Sequence, residues 1–326
     1  MTPPRPGSPG WYHLHGLCVR SDLALPGVPP DRLGPPDLTI LGGPARPVPE
    51  DPPAGRLLAG GPGAAPSAAE SEVDGTVTLR IPGRADLVLS PDRSRLTIAP
   101  DPSLEAGAEG VELLGLLAIG AGISLALMLG GACVLHASAV SIDGRALALV
   151  GPSGSGKSTG AAWLCREEGA GLLTDDVLRI DWDADRPWCA PGTTEIRLRP
   201  GAAALADAVA PDQRRVTADG RTAVSFTPAD RSLPLGAIAL PRPGPRLQAR
   251  RLRGAEALVA LTRARYTLAW RDAGVLRRRL AHLARLADQV PVVELVLPPP
   301  ERLGRGPGLA EALLAAAGSD SAAVPA

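Results

Sequence analysis

The sequence predicts an α/β protein with a β-rich amino-terminal part, on three observations. From residue 111 onward, apolar strand-like runs alternate with stretches of helical periodicity, as in an α/β core. Before residue 110, prolines and glycines separate short alternating segments: HLHGLCVR, DLTIL, GTVTLRI, ADLVLS and RLTIAP. A glycine-rich loop between a strand and a helix, residues 151–158, places an anion-binding site in the α/β part.

These patterns predict three regions. We expect residues 1–110 to form a β-rich domain, residues 111–300 the domain with the glycine loop, and residues 301–326 a short helix and a flexible tail. Within the first region, the Pro-, Gly- and Ala-rich segment 42–73 predicts a loose loop. Residues 274–290 predict a helix whose apolar face carries Leu276, Leu280, Leu283, Ala287 and Val290.

A long uncharged run covers residues 113–142. Its length would allow a membrane span. Glycines interrupt it, however, and it continues into an alternating strand that ends at the turn Asp143-Gly144. We therefore expect a buried helix at about 111–129 followed by a buried strand, and no membrane partner.

The amino-acid composition argues against nucleic-acid binding and against a zinc site. The 34 acidic and 34 basic residues balance, and only 2% of residues are aromatic, which disfavours nucleic-acid partners. The four cysteines are far apart and show no zinc-ligand spacing. The first residues lack an apolar signal core, so we expect a reduced, cytoplasmic protein.

Residues 151–158 match G-x-x-x-x-G-K-[ST], with the apolar run RALALV before them and a helix-compatible segment after them. The match contains the only lysine among the 34 basic residues, Lys157. A compact ammonium fits between phosphate oxygens, where a planar guanidinium is too wide. The predicted phosphate-contacting residues are Gly151, Ser153, Gly154, Ser155, Gly156, Lys157, Ser158 and Thr159.

His136 lies on the strand before the glycine loop. If Asp143 and Gly144 form a two-residue hairpin turn, paired positions sum to 287, and His136 faces Gly151 beside the loop. An ordinary core histidine and a site residue both remain open.

Two adjacent acids, Asp175 and Asp176, end the apolar strand that follows the helix. Ligands collect at the carboxyl ends of parallel strands, so one acid could hold Mg²⁺ and the other accept a hydroxyl proton. Further on, Glu195 and Arg197 share one side of a predicted strand. Alternatively, Asp175 and Asp176 belong to a solvated turn, and Glu195 and Arg197 form a surface ion pair.

The order of these residues resembles the C-terminal catalytic domain of HPr kinase/phosphorylase, a bacterial protein-serine kinase whose P-loop fold is akin to phosphoenolpyruvate carboxykinase. The motif-bearing similarity covers about residues 132–200. It implies a P-loop kinase core that uses ATP and Mg²⁺, with the β-rich part as an appendage. By resemblance, Lys157 and Ser158 contact phosphate and metal, Glu195 is a second metal residue, Asp176 is the general base, and His136 assists in the active site. Asp175 either supports the metal or positions Asp176.

The layout is also similar to HPr-kinase-like proteins of peptide-modification clusters, including lasso-peptide kinases. The segments that carry this second similarity are GLCVRSDLALPGVP, LHASAV and LPLGAIALPRP. It implies a partner peptide or small protein that bears the accepting serine; a second copy of the chain stays open as a partner.

Other P-loop classes fit less well. A GTPase needs N-K-x-D, which a chain with a single lysine in the loop cannot supply, and an ABC ATPase would contain L-S-G-G-Q, which is absent. A small-molecule kinase and an ATP-binding regulator without catalysis remain open.

One segment is strongly basic. Residues 242–285 hold 12 arginines and two acids. Such a run is either a solvated face or a surface that guides an acidic peptide to Asp176. The candidate substrate-binding residues are Arg197, Arg277, Arg278 and Arg279.

Overall fold

The computed structural model describes residues 10–32, 34–61, 64–104, 107–184, 186–229, 231–264, 268–303 and 308–318. They form a mixed α/β chain with several sheets. The chain divides into a first unit, Met1–Ala132 with Leu268–Arg278, and a second unit, Cys133–Thr267 with Arg279–Ala326. The expected flexible tail falls on residues 319–326, which lie outside the described residues.

The first unit is rich in β-strands. Within its described residues, one sheet has the order β1-β2-β3-β8-β7-β6-β5-β4, and β3 pairs in parallel with both neighbours. Its strands are Gly10–Leu14 (β1), Leu17–Ser21 (β2), Leu38–Gly42 (β3), Arg56–Gly61 (β4), Ala64–Glu70 (β5), Val77–Ile81 (β6), Ala85–Leu89 (β7) and Arg95–Pro100 (β8).

The expected loose loop at 42–73 is wrong for its second half, which forms the antiparallel pair β4–β5. The small residues there serve close packing: Ala59 and Ala68 are fully buried, and a Cβ on Gly60 would lie 2.8 Å from the carbonyl oxygen of Pro66. Gly60 also has a φ of +75°, which a residue with a side chain rarely adopts. Glycine and alanine thus mark a tight, bulged strand pair here.

The apolar run forms a continuous helix: Ala108–Leu117 (α1), a π-helical turn at Ala118–Gly122, and Ile123–Leu129 (α2). It belongs to the first unit, whereas the sequence pattern grouped it with the glycine-loop domain. Glycines explain the difference, because they let the helix approach the β-rich part closely. A Cβ on Gly115 would lie 2.3 Å from the Ala24 carbonyl oxygen, and one on Gly122 would lie 2.5 Å from Leu96.

This helix, Ala108–Leu129, is long and apolar enough to cross a membrane by length and composition. Its most apolar window has a mean hydropathy of 2.1, and 67% of that window is buried within the protein. Core helices of soluble proteins pass the same test, so the helix is weak evidence for a membrane span.

The second unit contains the glycine loop. Its strands are Cys133–Leu135 (β9), Ala137–Ile142 (β10), Arg145–Val150 (β11), Gly171–Thr174 (β12), Leu178–Asp183 (β13), Arg186–Cys189 (β14), Glu195–Leu198 (β15), Arg214–Val216 (β16), Thr222–Ser225 (β17), Leu233–Pro243 (β18), Gln248–Leu252 (β19) and Val292–Leu297 (β20). Its helices are Lys157–Glu167 (α3), Ala203–Asp207 (α4), Gly254–Arg263 (α5), Ala273–Gln289 (α6, which begins in the first unit), Pro300–Leu303 (α7) and Leu309–Gly318 (α8).

Two sheets of this unit position the site. In the larger sheet, β10 lies between β11 and β12 and is antiparallel to both, so β11 and β12 run in the same direction and end at the same edge. The smaller sheet has the order β15-β17-β16 in the described residues. Helix α3 packs on the larger sheet through Gly160, where a Cβ would lie 2.7 Å from Leu149. The glycine loop and the Asp175-Asp176 pair therefore leave the sheet at the same edge, with one strand, β10, between them.

Candidate functional site

The hairpin β10–β11 has the predicted register. Ile142 pairs with Arg145 and Ala137 with Val150, so paired positions sum to 287. Asp143 and Gly144 both have positive φ, at 49° and 72°, as a tight two-residue turn requires. The Gly151 N–H donates to the His136 carbonyl oxygen at 3.4 Å. His136 thus stands at the start of the glycine loop.

The glycine loop joins β11 to α3 as predicted. Gly154 and Gly156 have φ of +83° and +100°, in the left-handed region. Gly151 leaves room for Ser155, because a Cβ there would lie 2.8 Å from Ser155 Oγ. That Oγ is buried and lacks a hydrogen-bond partner among the described residues. The loop therefore offers a hydroxyl and the amino terminus of α3 to an anion.

Lys157 is the first residue of α3 and is only 5% exposed. Its Nζ donates to the Pro152 carbonyl oxygen, inside its own loop, at 3.0 Å. Burial lowers the pKa of the ammonium, the charges of Asp175 and Asp176 oppose that effect, and the charges of Arg199 and Arg221 add to it. A phosphate in the loop would supply the negative charge that this buried cation favours.

Asp175 is buried, and its carboxylate connects three segments of the site through hydrogen bonds. Its Oδ1 accepts from Ser138 Oγ at 2.5 Å and from Ser158 Oγ at 3.0 Å, and its Oδ2 accepts from the Arg197 backbone N–H at 3.1 Å. Burial, followed by the charge of Asp176, raises the pKa of Asp175 above its ordinary value, although the hydrogen bonds act in the opposite direction. A carboxylate placed beside the loop serine is suited to a hard cation.

Asp176 points into a cluster of cations. Its Oδ1 lies 3.5 Å from His136 Nε2, while its Oδ2 accepts from Arg197 Nη2 and lies 3.8 Å from Arg221 Nη1. Asp219 pairs with the same two arginines, at 2.9 Å from Arg197 and 3.3 Å from Arg221. The backbone of Asp176 is left-handed, with φ of +67°, a conformation that aspartate and asparagine tolerate better than most residues.

Burial would raise the pKa of Asp176, but the hydrogen bond with His136 and the charges of Arg197, His136 and Arg221 outweigh it. The pKa is therefore held well below its ordinary value. At neutral pH the carboxylate is fully ionised, and it can accept a hydrogen bond from an incoming hydroxyl. Oδ1, which is at the outer limit of a hydrogen bond with His136, is the oxygen better placed to do so.

Glu195 shares the partly exposed side of β15 with Arg197, as predicted, since Ile196 and Leu198 between and after them are buried. Its carboxylate pairs with Arg215, at 2.8 Å from Nη2. In the part of the chain that the structure describes, no group of three or more His, Cys, Asp or Glu side chains could hold a metal ion. The predicted metal role of Glu195 stays a prediction.

The site also contains side chains that sequence reasoning missed. Ser138 lies on β10, two residues after His136, which stands between β9 and β10; this spacing could have signalled that the two side chains lie close together. Arg199 donates to Ser153 Oγ of the glycine loop at 2.6 Å. Asp219 and Arg221 come from the turn between β16 and β17, a turn that contains no recognisable functional motif.

The other predicted substrate-binding residues lie on helix α6. Arg277 and Arg278 are exposed, whereas Arg279 is partly buried. Their role in binding an acceptor stays a prediction, while Arg197 lies at the site through its contact with Asp176.

No protein-family model matches the chain, and no curated protein matches it. Among solved structures, the chain is similar to the Hpr(Ser) kinase/phosphatase from Coxiella burnetii, with 12% sequence identity and a TM-score of 0.25, over 51% of this chain and 85% of that one. This likeness is distant, so the assignment of a function depends on the residues of the site.

Proposed function

We propose that the chain is an ATP- and Mg²⁺-dependent kinase of HPr-kinase-like type, which transfers the γ-phosphoryl group to a serine hydroxyl of a peptide or small protein. The observation that carries the proposal is the hydrogen bond between Ser158 of the glycine loop and Asp175, at 3.0 Å, with Asp176 next in the chain. This hydrogen bond brings the glycine loop next to a buried carboxylate that Asp176 directly follows, which supports a proposed site for phosphoryl transfer.

The residues present fit a nucleotide. The glycine loop leads into α3, Lys157 is buried at its first turn, and Ser155 brings a buried hydroxyl without a partner among the described residues. We propose that the loop backbone and Lys157 hold the phosphates of ATP, with Ser153 and Thr159 at the edges of the loop.

The residues also fit Mg²⁺. This ion takes oxygen ligands and commonly uses one or two carboxylates together with phosphate oxygens and water. Ser158 and Asp175 would hold it, and Glu195 would have to leave Arg215 to join them. When bound, the ion neutralises charge on the phosphates.

Asp176 is the proposed general base. Its depressed pKa makes it a weak base toward a free hydroxyl, but phosphoryl transfer needs little proton abstraction before the bond to phosphorus forms. The carboxylate would orient the serine hydroxyl and receive its proton late in the step. His136, at 3.5 Å, would hold the carboxylate in place.

The test is incubation of the protein with γ-labelled ATP, Mg²⁺ and serine-containing peptides, alongside Lys157→Ala. Label on a peptide serine with the wild type, but not with Lys157→Ala, supports the proposal. Label on a small molecule alone would favour a small-molecule kinase. ATP binding with no labelled product would favour a regulator without catalysis.

For the acceptor, we propose a peptide with acidic groups that docks near the exposed Arg277 and Arg278. Guanidinium groups pair well with carboxylates, and a basic surface raises encounter rates. Changing Arg277, Arg278 and Arg279 to Gln should raise the KM for the peptide but not for ATP, and this difference should shrink at about 0.5 M salt. An unchanged peptide KM at low salt would mean that the basic segment is only a solvated face.

We also propose a cytoplasmic location. All four cysteines are free in the structure, in keeping with a reducing compartment.

A further inference from the structure

Strand β15 carries a row of charged side chains that continues past its end. Ile196 and Leu198 are buried, and the alternate residues Glu195, Arg197 and Arg199 lie on the more exposed side. Same-side residues on an extended chain are about 6.5–7 Å apart. The row therefore extends over about 13–14 Å.

Two side chains of this row contact the site, one at Asp176 and the other at the glycine loop. Arg197 donates to Asp176, the proposed base, and Arg199 Nη2 donates to Ser153 Oγ, in the glycine loop, at 2.6 Å. The segment from Arg197 to Arg199 thus connects the carboxylate to the rim of the phosphate-binding loop. Arg199 is thereby held at the rim of the glycine loop.

The charges around the glycine loop also favour a bound anion near Arg199. Lys157 is buried at the loop, where the charges of Asp175 and Asp176 favour its ammonium and the charges of Arg199 and Arg221 oppose it. Cations gathered around a buried ammonium repel one another, and a bound polyanion would remove that cost. Arg199 is itself exposed and is held by a neutral hydroxyl, a partner it can exchange readily for a phosphate oxygen.

We propose that Arg199 leaves Ser153 for the terminal phosphate of bound ATP and stabilises the phosphoryl group during transfer. The inference rests on the proposed kinase function and assigns Arg199 a catalytic role within it. In the step, the bond between the γ-phosphorus and the β,γ-bridging oxygen breaks, and a bond from the serine oxygen to phosphorus forms. The hydroxyl proton goes to Asp176, ADP leaves with the bridging oxygen, and Arg199 stays protonated throughout.

The test compares ATP with ADP, which lacks the phosphate that Arg199 would contact. The full chain is prepared as wild type, Arg199→Gln, Arg199→Lys and a control, Arg145→Gln, which removes an exposed arginine at the opposite end of β11 from the loop. Affinities for Mg·ATP and Mg·ADP are measured by calorimetry. Label transfer from γ-labelled ATP is measured where an acceptor peptide has been found.

We expect Arg199→Gln to weaken ATP binding about 10-fold, to change ADP binding by less than about 3-fold, and to slow transfer by about 10³-fold, the lower end of what a catalytic arginine contributes. Arg199→Lys should recover part of the ATP affinity but little of the rate, because a point charge lacks the bidentate geometry. Arg145→Gln should match the wild type.

The outcomes separate this inference from the proposed function. If the wild type binds neither nucleotide, the proposed function fails and the inference fails with it. If the wild type binds ATP but Arg199→Gln keeps its full preference for ATP over ADP, only the role of Arg199 is overturned. Equal losses for ATP and ADP would likewise overturn it, since they would mean that Arg199 supports the loop through Ser153.

Discussion

Replacing Asp176 with asparagine removes the negative charge of this side chain and keeps its size, so the variant tests whether the charge is needed for catalysis. Asparagine has nearly the same size and tolerates the left-handed backbone at this position, where φ is +67°. It cannot accept the proton of an incoming hydroxyl. We therefore expect Asp176→Asn to keep ATP and Mg²⁺ binding while kcat falls by about 10²–10⁴-fold.

The same change should lower stability by a moderate amount. A unit charge pair at about 4 Å is worth about 4 kcal/mol at an effective dielectric constant of 20. The side chains of Asp176, Arg197 and Arg221 are 23%, 14% and 28% exposed, and Asp219 still pairs with both arginines. The loss in unfolding free energy should therefore be about 1–3 kcal/mol at pH 7, measured by urea denaturation.

Asp219→Asn is the matched control. It removes a carboxylate from the same two arginines, Arg197 and Arg221, so it should cost a similar amount of stability. Its contacts do not extend to the hydroxyl-accepting oxygen of Asp176, so kcat should fall by less than about 10-fold. Equal losses of kcat in the two variants would mean that Asp176 only positions the arginines. A kcat for Asp176→Asn within a factor of three of wild type would refute the assignment of the base.

The pH dependence has a definite sign. The pKa of Asp176 is lowered in the folded state, so its ionised form stabilises the protein above the unfolded pKa of about 4, and this stabilisation is lost as the pH falls through the lowered value. The stability difference between wild type and Asp176→Asn, measured by urea denaturation over a series of pH values, should shrink as the pH falls below about 4.

Three further variants test the rest of the site and its support. Lys157→Ala should abolish transfer and weaken ATP binding while the fold measured by circular dichroism stays intact; transfer within a few-fold of wild type would remove the role of the glycine loop. Asp175→Asn should raise the Mg²⁺ concentration needed for half-maximal rate by about 10-fold, and an unchanged Mg²⁺ titration would contradict the metal assignment. Glu168→Ala should cost about 1 kcal/mol in urea denaturation, because its carboxylate accepts from the Leu309 and Ala310 N–H groups at 2.7 and 2.9 Å, and it should leave ATP affinity unchanged.

The parts of the site that are local in sequence could be predicted. The hairpin turn at Asp143-Gly144 fixes the pairing of β10 with β11, so the position of His136 followed from counting residues. The strand–loop–helix order likewise located Lys157 and the carboxylates at the end of β12. In each case a short stretch of chain determines its own geometry.

Features that depend on distant partners were missed. Asp219 and Arg221 reach Asp176 because β17 pairs with β15. The sequence of the turn does not predict this strand pairing. The predicted apolar face of α6 is also partly wrong, since Leu276 and Leu280 are 43% and 52% exposed while Val275 is buried. Leucine content alone could not show which side of this helix meets the rest of the protein.

The difference between an ATP-binding regulator and a kinase lies in this second, non-local half of the site. A glycine loop with Lys157 and the amino terminus of α3 is sufficient to bind phosphates, and a regulator needs no more. Transfer also requires a fixed carboxylate and positive charge on the acceptor side of the phosphate. Asp176 follows β12 of the larger sheet, and the smaller sheet supplies the positive charge that fixes it. Arg197 on β15 and Arg221 beside β17 contact Oδ2 of Asp176, while His136 lies 3.5 Å from Oδ1. Three cationic or ionisable side chains thus contact one carboxylate that is only 23% exposed. A protein that only senses ATP does not need this arrangement, and for this reason we propose catalysis.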